Sequence, residues 1–355
     1  RALADRETEP MRWKRFAAVA RQQAADAGGP LDQRAHVIPL EFPAHAPDSA
    51  PSLTRPVPGM NRVMVSFCQK GASGILLGLY TPSPVQYFRP LALPEEITAG
   101  HTKAHGITMD DRRVYIAMDG KTGQSLLALW REDLSFAGLH RLRRASDVHS
   151  ILLRDGWLYA VSTGTEEVLR YPMEGGVPGD PEVWWSSPTE CRVDLRHLNA
   201  IWPDGEGFLV SAMDRRGIFP AQDSRSNADG VIMSLPSGEI ILEGLWFPHS
   251  VMRIDGALAY VQSGCATLNV HGAGVVRNLP GFPRGLCRVG DLLLIGTSET
   301  SRMELRQLQT PAVRCSITQC QIKPLQPRTA LDLSYWGRGI YDLFPLDTPH
   351  TGAST

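Results

Sequence analysis

The stretch HSILLRDGWLYAVS, residues 149–162, reads as a histidine, a short apolar strand, an Asp-Gly turn and a second strand that ends in small or polar residues. Asp-Gly between two apolar runs is the preferred chemistry of a tight β-hairpin, because both central positions tolerate positive φ. The same text recurs as HGITMDDRRVYIAM from His105, HLNAIWPDGEGFLVS from His197, HSVMRIDGALAYVQ from His249 and RGLCRVGDLLLIGT from Arg284. The lead residues stand 44, 48, 52 and 35 positions apart, close to the ~40–50 residues of a four-stranded propeller blade.

Outward from this repeat, the apolar runs between Leu53 and Leu346 are short, rich in Val, Leu, Ile and Tyr, and divided by Gly, Asp, Asn and Pro, which is all-β patterning. VMVSFCQKGASGILLGLY (63–80) and the part from Cys315 to Leu346 supply a further unit. The expected architecture is a six-bladed β-propeller over residues 53–346, closed by both chain ends. Residues 1–52 read as an N-terminal helix, Glu9 to Gly28 with Trp13, Phe16, Val19 and Ala20 on one stripe, followed by a proline-rich strap without regular structure; residues 347–355 read as a tail. The helix is the expected contact for a protein partner.

The 355 residues carry 36 basic and 37 acidic side chains. So balanced a chain has no field to recruit nucleic acid or an anionic membrane, and neither is expected as a partner. No apolar run reaches 18 residues, and the scattered Cys68, Cys191, Cys265, Cys287, Cys315 and Cys320 fit a reducing compartment, so a cytoplasmic protein is expected. Cys315 and Cys320 are five positions apart on a strand and face opposite sides, which is not a zinc pair. Asp155, Asp204, Asp255, Asp110 and Asp291 fall at turns, where carboxylates serve local geometry more than acid–base chemistry. Trp184 and Trp185 read as blade packing, His140 and His271 as surface residues, and His101 as a neighbour of the channel mouth. Phosphate-cradling glycine motifs are absent, so no nucleotide cofactor is expected.

In a propeller the innermost strands line one axis, so residues in one register of each repeat converge. His105, His149, His197 and His249 would form a ring, with Arg284 at a fifth position. Neutral imidazoles in that number suit a divalent transition metal, iron first and then zinc or copper. Arg284 would clamp a substrate carboxylate or phosphate, and Asn199, two residues beyond His197, would orient the substrate or an oxyanion. The expected function is a metal-dependent enzyme acting on a small anionic or peptide-like substrate by oxidative, hydrolytic or lyase chemistry. Two alternatives stand beside it: structural histidines in a binding or scaffold propeller, and a metal-free, histidine-dependent transferase or lyase.

DVHSILLRDGWLYAVST (147–163), RHLNAIWPDGEGFLVSA (196–212), DGVIMSLPSGEIILEGLWFPHSV (229–251) and LPGFPRGLCRVGDLLLIGTSETSR (279–302) together resemble a bacterial propeller family of conserved hypothetical proteins with a domain of unknown function. The resemblance covers roughly residues 53–346, implies one propeller domain and implies no reaction. Its signature falls on His149, His197, Asn199, His249 and Arg284. His105 is outside it, which would leave three histidines, the count of a catalytic zinc with one open position. MELRQLQTPAVRCSITQCQIKPLQP (303–327) resembles a modified last blade.

Overall fold

Asp155-Gly156 and Asp255-Gly256 turn their hairpins with positive φ at both residues, 52° and 76° in the first and 49° and 82° in the second, the geometry that matches strand twist. These and the neighbouring turns fold the computed structural model into antiparallel sheets. It describes residues 40–41, 61–70, 75–83, 86–91, 93–95, 97, 101–120, 122–188, 193–217, 229–299 and 314–347. The helix expected over Glu9 to Gly28, nearly all of the strap, Cys191 and the tail beyond residue 347 lie outside them.

Four sheets follow one another along the chain. The first runs His101–Met109, Arg113–Gly120, Ser125–Arg131, Phe136–Arg141, and the second Val148–Arg154, Trp157–Ser162, Glu167–Glu174, with Glu182–Ser186 and Val177–Pro178 on its outer side. The third runs Leu198–Asp204, Gly207–Ala212, Gly230–Leu235, Glu239–Leu245, and the fourth Pro248–Ile254, Ala257–Gln262, Thr267–Val270, Gly274–Val276. A nine-stranded sheet completes the fold. One part of it is Phe282–Val289, Leu292–Ser298, Ser316–Gln321 and Gln326–Asp332; the other is Gly337–Pro345, Val63–Lys70, Leu77–Thr81 and Tyr87–Pro90. Within the strap region, Leu40–Glu41 adds a short parallel strand, pairing Leu40 with Ala330.

An early and the last strand of the described residues meet in this last sheet, where Val63 pairs with Pro345 and Phe67 with Ile340. The buried Arg62 guanidinium locks the junction on Asp347, with Nη2 2.6 Å from Oδ1. The inner strands of successive sheets lie side by side in a closed circuit: His101–Met109, Val148–Arg154, Leu198–Asp204, Pro248–Ile254, Phe282–Val289, Gly337–Pro345 and back to His101–Met109. Apolar cores fill the gaps between neighbouring sheets. Tyr115, Leu127, Ile151 and Leu158 pack between the first and second, and Tyr159, Val168, Phe208 and Val210 between the second and third. The second strand of each unit is therefore covered on both faces, so Trp157–Ser162, Gly207–Ala212 and Ala257–Gln262 are continuously buried beyond their first residue instead of alternating.

Turn carboxylates acquire a second task that their local chemistry does not announce. Asp204 receives both Nε and Nη2 of Arg253 at 2.9 Å, and Asp255 receives Nη1 of Arg288 at 2.8 Å. In each pair a turn of one sheet is tied to the inner strand of the next. Trp184 stacks edge-on against Tyr159 and Phe208 and belongs to the packing, as expected. His271 is exposed, whereas His140 is half-buried on the outer strand of the first sheet, not fully at the surface. No helix among the described residues is long and apolar enough to cross a membrane.

Candidate functional site

Every inner strand breaks its pairing register near its channel end. The irregularity falls at His105-Gly106, at His149, at Asn199-Ala200, at Ser250, at Arg284 and at Tyr341. A bulge leaves one residue outside the ladder and re-aims its side chain. In ring order the side chains presented are His105, His149, Asn199, His249, Arg284 and Tyr341. The last five line one open pocket together with Ser150, Ala200, Ser250 and Asp342.

The register corrects one expectation. Val148, Leu198 and Pro248 each begin a strand and pair with Ser162, Ala212 and Gln262, so the equivalents of His149 and His249 are not His197 but Asn199. His197 stands two residues earlier, in the same left-handed backbone conformation (φ 55°) as Asp147 (51°) and Phe247 (50°). Asp147, His197 and Phe247 thus form a second tier. His197 still reaches the site, its ring 4.8 Å from that of His149.

The four histidines do not assemble as one set of metal ligands. Among the described residues, the His, Cys, Asp and Glu atoms close enough to share an ion belong to His105, Asp119 and Asp147, all within 4.8 Å of one another. The physical reason is that each imidazole is already held separately. His105 Nε2 lies 3.0 Å from Asp119 Oδ2, and its ring stacks on that of His149 at 5.5 Å between centroids. His149 Nδ1 faces Asn199 Oδ1 at 3.2 Å, and its Nε2 lies 3.3 Å from Asp147 Oδ2. His197 Nδ1 bonds Asp194 Oδ2 at 2.8 Å. His249 Nδ1 lies 3.1 Å from the Phe247 carbonyl, which can only accept, so Nδ1 carries the proton and also meets Ser263 Oγ at 2.7 Å.

Burial lowers the pKa of His105, His197 and His249, in His249 with help from the Arg284 charge, and all three are neutral near pH 7. Burial works against the charges of Asp119 and Asp147, but the hydrogen bonds from His105 and His149 hold both carboxyls below the usual range. Burial pushes Asp342 up to about 6, against the Ile107 and Leu343 amides that it accepts. It also raises the Tyr341 hydroxyl well above 10, so that group is a donor.

The ring divides into a locked half and an open half. Asn199 donates to the His197 and Pro248 carbonyls while accepting from His149, and so ties three inner strands together. On the other half, three buried polar atoms have no hydrogen-bond partner: Arg284 Nε, Tyr341 Oη and His105 Nδ1. Arg284 lies over the Phe282 ring at 4.9 Å, places Nη1 3.2 Å from Cys68 Sγ and 3.3 Å from Ser298 Oγ, and meets no carboxylate among the described residues. Tyr341, Asp119, Asp147 and Asp342 are members of the site that sequence reasoning did not single out. Of these only Asp147 carried a signal, as the first residue of the stretch DVHSILLRDGWLYAVST that carries the family resemblance.

Residues 188–347 match the model of DUF4915, a domain of unknown function, in keeping with the uncharacterised family that the sequence resembles. That span takes in His197, Asn199, His249, Arg284 and Tyr341. No curated protein matches the chain in sequence. Among solved structures, similar chains occur in a nidogen/laminin complex (11% identity, 81% of this chain and 98% of that one, TM-score 0.57) and in a putative 6-phosphogluconolactonase from Bacteroides fragilis (12%, 84% and 100%, 0.52). A periplasmic gluconolactonase from Pseudomonas aeruginosa is similar too (12%, 82% and 100%, 0.53). At such identities the likeness is one of fold.

Proposed function

We propose that this propeller is a hydrolase that opens a small ester or lactone carrying an anionic group, at the axial pocket. The observation that carries the reading is the open half-ring. Buried donors and acceptors are nearly always satisfied in folded proteins, and exceptions point to a ligand, ion or water that completes them. Arg284 offers its Nε edge to a carboxylate or phosphate. Tyr341, protonated and unpaired, donates to the oxygen on which charge develops as water adds to the acyl carbon. His249, with its proton fixed on Nδ1, has Nε2 to take the proton of that water. Lactones are favoured over other esters by the likeness in fold to propellers named as lactonases, which is an analogy.

The metal expected on the four histidines is proposed instead for His105, Asp119 and Asp147. One imidazole nitrogen and two ionised carboxylates suit iron(II) or zinc; ligand atoms of such an ion stand roughly 3.3–4.4 Å apart, so the three atoms, within 4.8 Å of one another, would draw in slightly on binding. The ion would supply a bound water of lowered pKa or polarise an acyl oxygen. The nine-stranded sheet is best counted as two blades, which makes six in all. In support, its two parts share a single ladder pair, Ser298 with Gly339. A non-catalytic binding propeller is the second reading, favoured by the two bonds through which Asn199 joins neighbouring inner strands, from His149 and to the Pro248 carbonyl.

The test is proton release from a panel of small lactones and esters, with and without a carboxylate or phosphate, by wild type and Arg284→Met. Hydrolysis confined to anionic members, with KM raised in the variant, is expected. No turnover of any member, together with no thermal stabilisation by their ring-opened acids, would overturn the reading.

A further inference from the structure

Glu166 is a carboxylate that the chemistry above does not use. It is 1% exposed and forms no salt bridge among the described residues. It follows the short turn Thr163–Thr165 of the second sheet in left-handed conformation, φ 57°. Its Oε1 accepts three successive amides of the third sheet's leading segment: Leu195 and His197 at 3.1 Å each, and Arg196 between them. Its Oε2 is buried without a partner.

The segment it grips is the one that carries the His197–Asp194 pair. In the second and fourth sheets the residues equivalent to His197 are fixed from within their own sheet, by Thr163 N donating to the Asp147 carbonyl and Ser263 N to the Phe247 carbonyl. In the third sheet the His197 carbonyl accepts Met213 N and Asn199 Nδ2, but the amide side faces the second sheet and is answered by Glu166. The left-handed conformation of His197 is thus pinned from both sides, and it sets where the His197 ring meets His149 and where Asn199 begins its strand.

We propose that Glu166 is the positioning residue of the axial site: its Oε1 gathers the amides of residues 195–197 and so places His197 and Asn199 against His149. It touches no substrate. The placement stands on geometry, and only its consequence for turnover rests on the hydrolase reading.

The test compares Glu166→Asp with Glu166→Gln in the full chain. Aspartate withdraws the acceptor by about one C–C bond, roughly 1.5 Å; glutamine keeps an oxygen in place and removes the charge. Amide exchange at Leu195, Arg196 and His197 and the titration of the His197 ring are followed by NMR, with the amides of Trp157–Ser162 as an internal reference. Exchange faster by about tenfold or more in Glu166→Asp alone, with the His197 pKa rising toward 6.5 and near-wild-type values in Glu166→Gln, is the expected result. If the two variants are indistinguishable, both silent or both altered, the proposal fails. These readouts need no turnover, so failure of the hydrolase reading leaves them interpretable; where turnover is found, Glu166→Asp lowers kcat more than it raises KM.

Discussion

Gly106 follows His105 at the bulge where the first inner strand crosses the second. A Cβ at this position would lie 2.7 Å from Ser150 Cα, 2.8 Å from Ile151 N and 3.1 Å from the His149 carbonyl oxygen. All three are backbone atoms of the neighbouring strand, so no side chain can rotate away. Restoring carbon contact distance separates the two strands by roughly 0.7–1 Å, next to the bond from Ser66 Oγ to the His105 carbonyl at 2.6 Å and the His105–His149 stack. Overpacking of this kind costs ~1–3 kcal/mol, and the lower chain entropy of alanine returns ~0.5–1 kcal/mol. Gly106→Ala should therefore lose about 1–2 kcal/mol, a Tm drop of about 1–3 °C for a chain of this size. Gly285, one residue after Arg284, is the internal control. A Cβ there would meet Leu343 N at 3.1 Å and Asp342 backbone carbons at 3.2 Å, a misfit of a few tenths of an ångström. Gly285→Ala should stay within about 0.5 kcal/mol of wild type. Urea unfolding followed by tryptophan fluorescence measures both. A neutral Gly106→Ala, or a Gly285→Ala as damaging as Gly106→Ala, would show that close approach of the inner strands does not set the spacing of the ring.

The histidines give the pH dependence its sign. Because burial and Arg284 lower the His249 pKa in the folded protein, the unfolded chain binds its proton first. The stability tied to that site is complete above pH 6.5 and declines as pH falls toward the folded value. His249→Gln should flatten the curve between pH 6.5 and 5 by up to about 1.4 kcal/mol per pH unit; parallel urea midpoints for both proteins would refute this. Asp342, raised to about 6, acts in the opposite direction but is common to both and cancels in the comparison. Tyr341→Phe removes an unsatisfied buried hydroxyl, so its Tm should hold or rise, by no more than ~1 kcal/mol of stability, while hydrolysis falls on the order of 10²-fold; unchanged turnover would remove the hydroxyl from the reaction. Titration calorimetry of chelator-treated protein should show one zinc or iron(II) per chain, with affinity lowered at least about tenfold in Asp147→Asn and kept in His249→Gln. Equal affinity in wild type and Asp147→Asn would place any bound metal elsewhere.

The hairpins were legible because turn chemistry is local: Asp-Gly at 155–156 and 255–256 needs no tertiary context to be read. The joining of the early and last strands was legible because neither part holds a complete unit of its own. The ring was legible only in part. Aligning the repeats on their histidines finds His105, His149, His249 and Arg284, yet misplaces the third position, since a bulge changes register by amounts that no residue identity reports. The strand partners Ala212 for Leu198 and Ser162 for Val148 put Asn199 where His197 had been expected. Tyr341 escaped because its strand ends the described chain and returns to Val63–Lys70, so the strand–turn–strand text that marks the other inner strands never follows it. Asp119, at the end of a second strand, becomes a partner of His105 only when the sheet is folded.

The same bulge, repeated on each inner strand, serves two ends, and its neighbours decide which. Across His149, Asn199 and His249 every polar side-chain atom but His249 Nε2 is paired, with one another, with Asp147, with Ser263 or with backbone carbonyls, and that arc holds adjacent inner strands together. Across Arg284, Tyr341 and His105 three buried polar atoms are left over, Arg284 Nε, Tyr341 Oη and His105 Nδ1, beside the Phe282 and Tyr341 rings. They are contiguous, they lie on the arc opposite Asn199, and one of them belongs to a guanidinium that meets no carboxylate among the described residues. The ligand proposed above would lie against Arg284, Tyr341 and His105, where an anion with an acceptor oxygen beside it would answer the donors of the open arc.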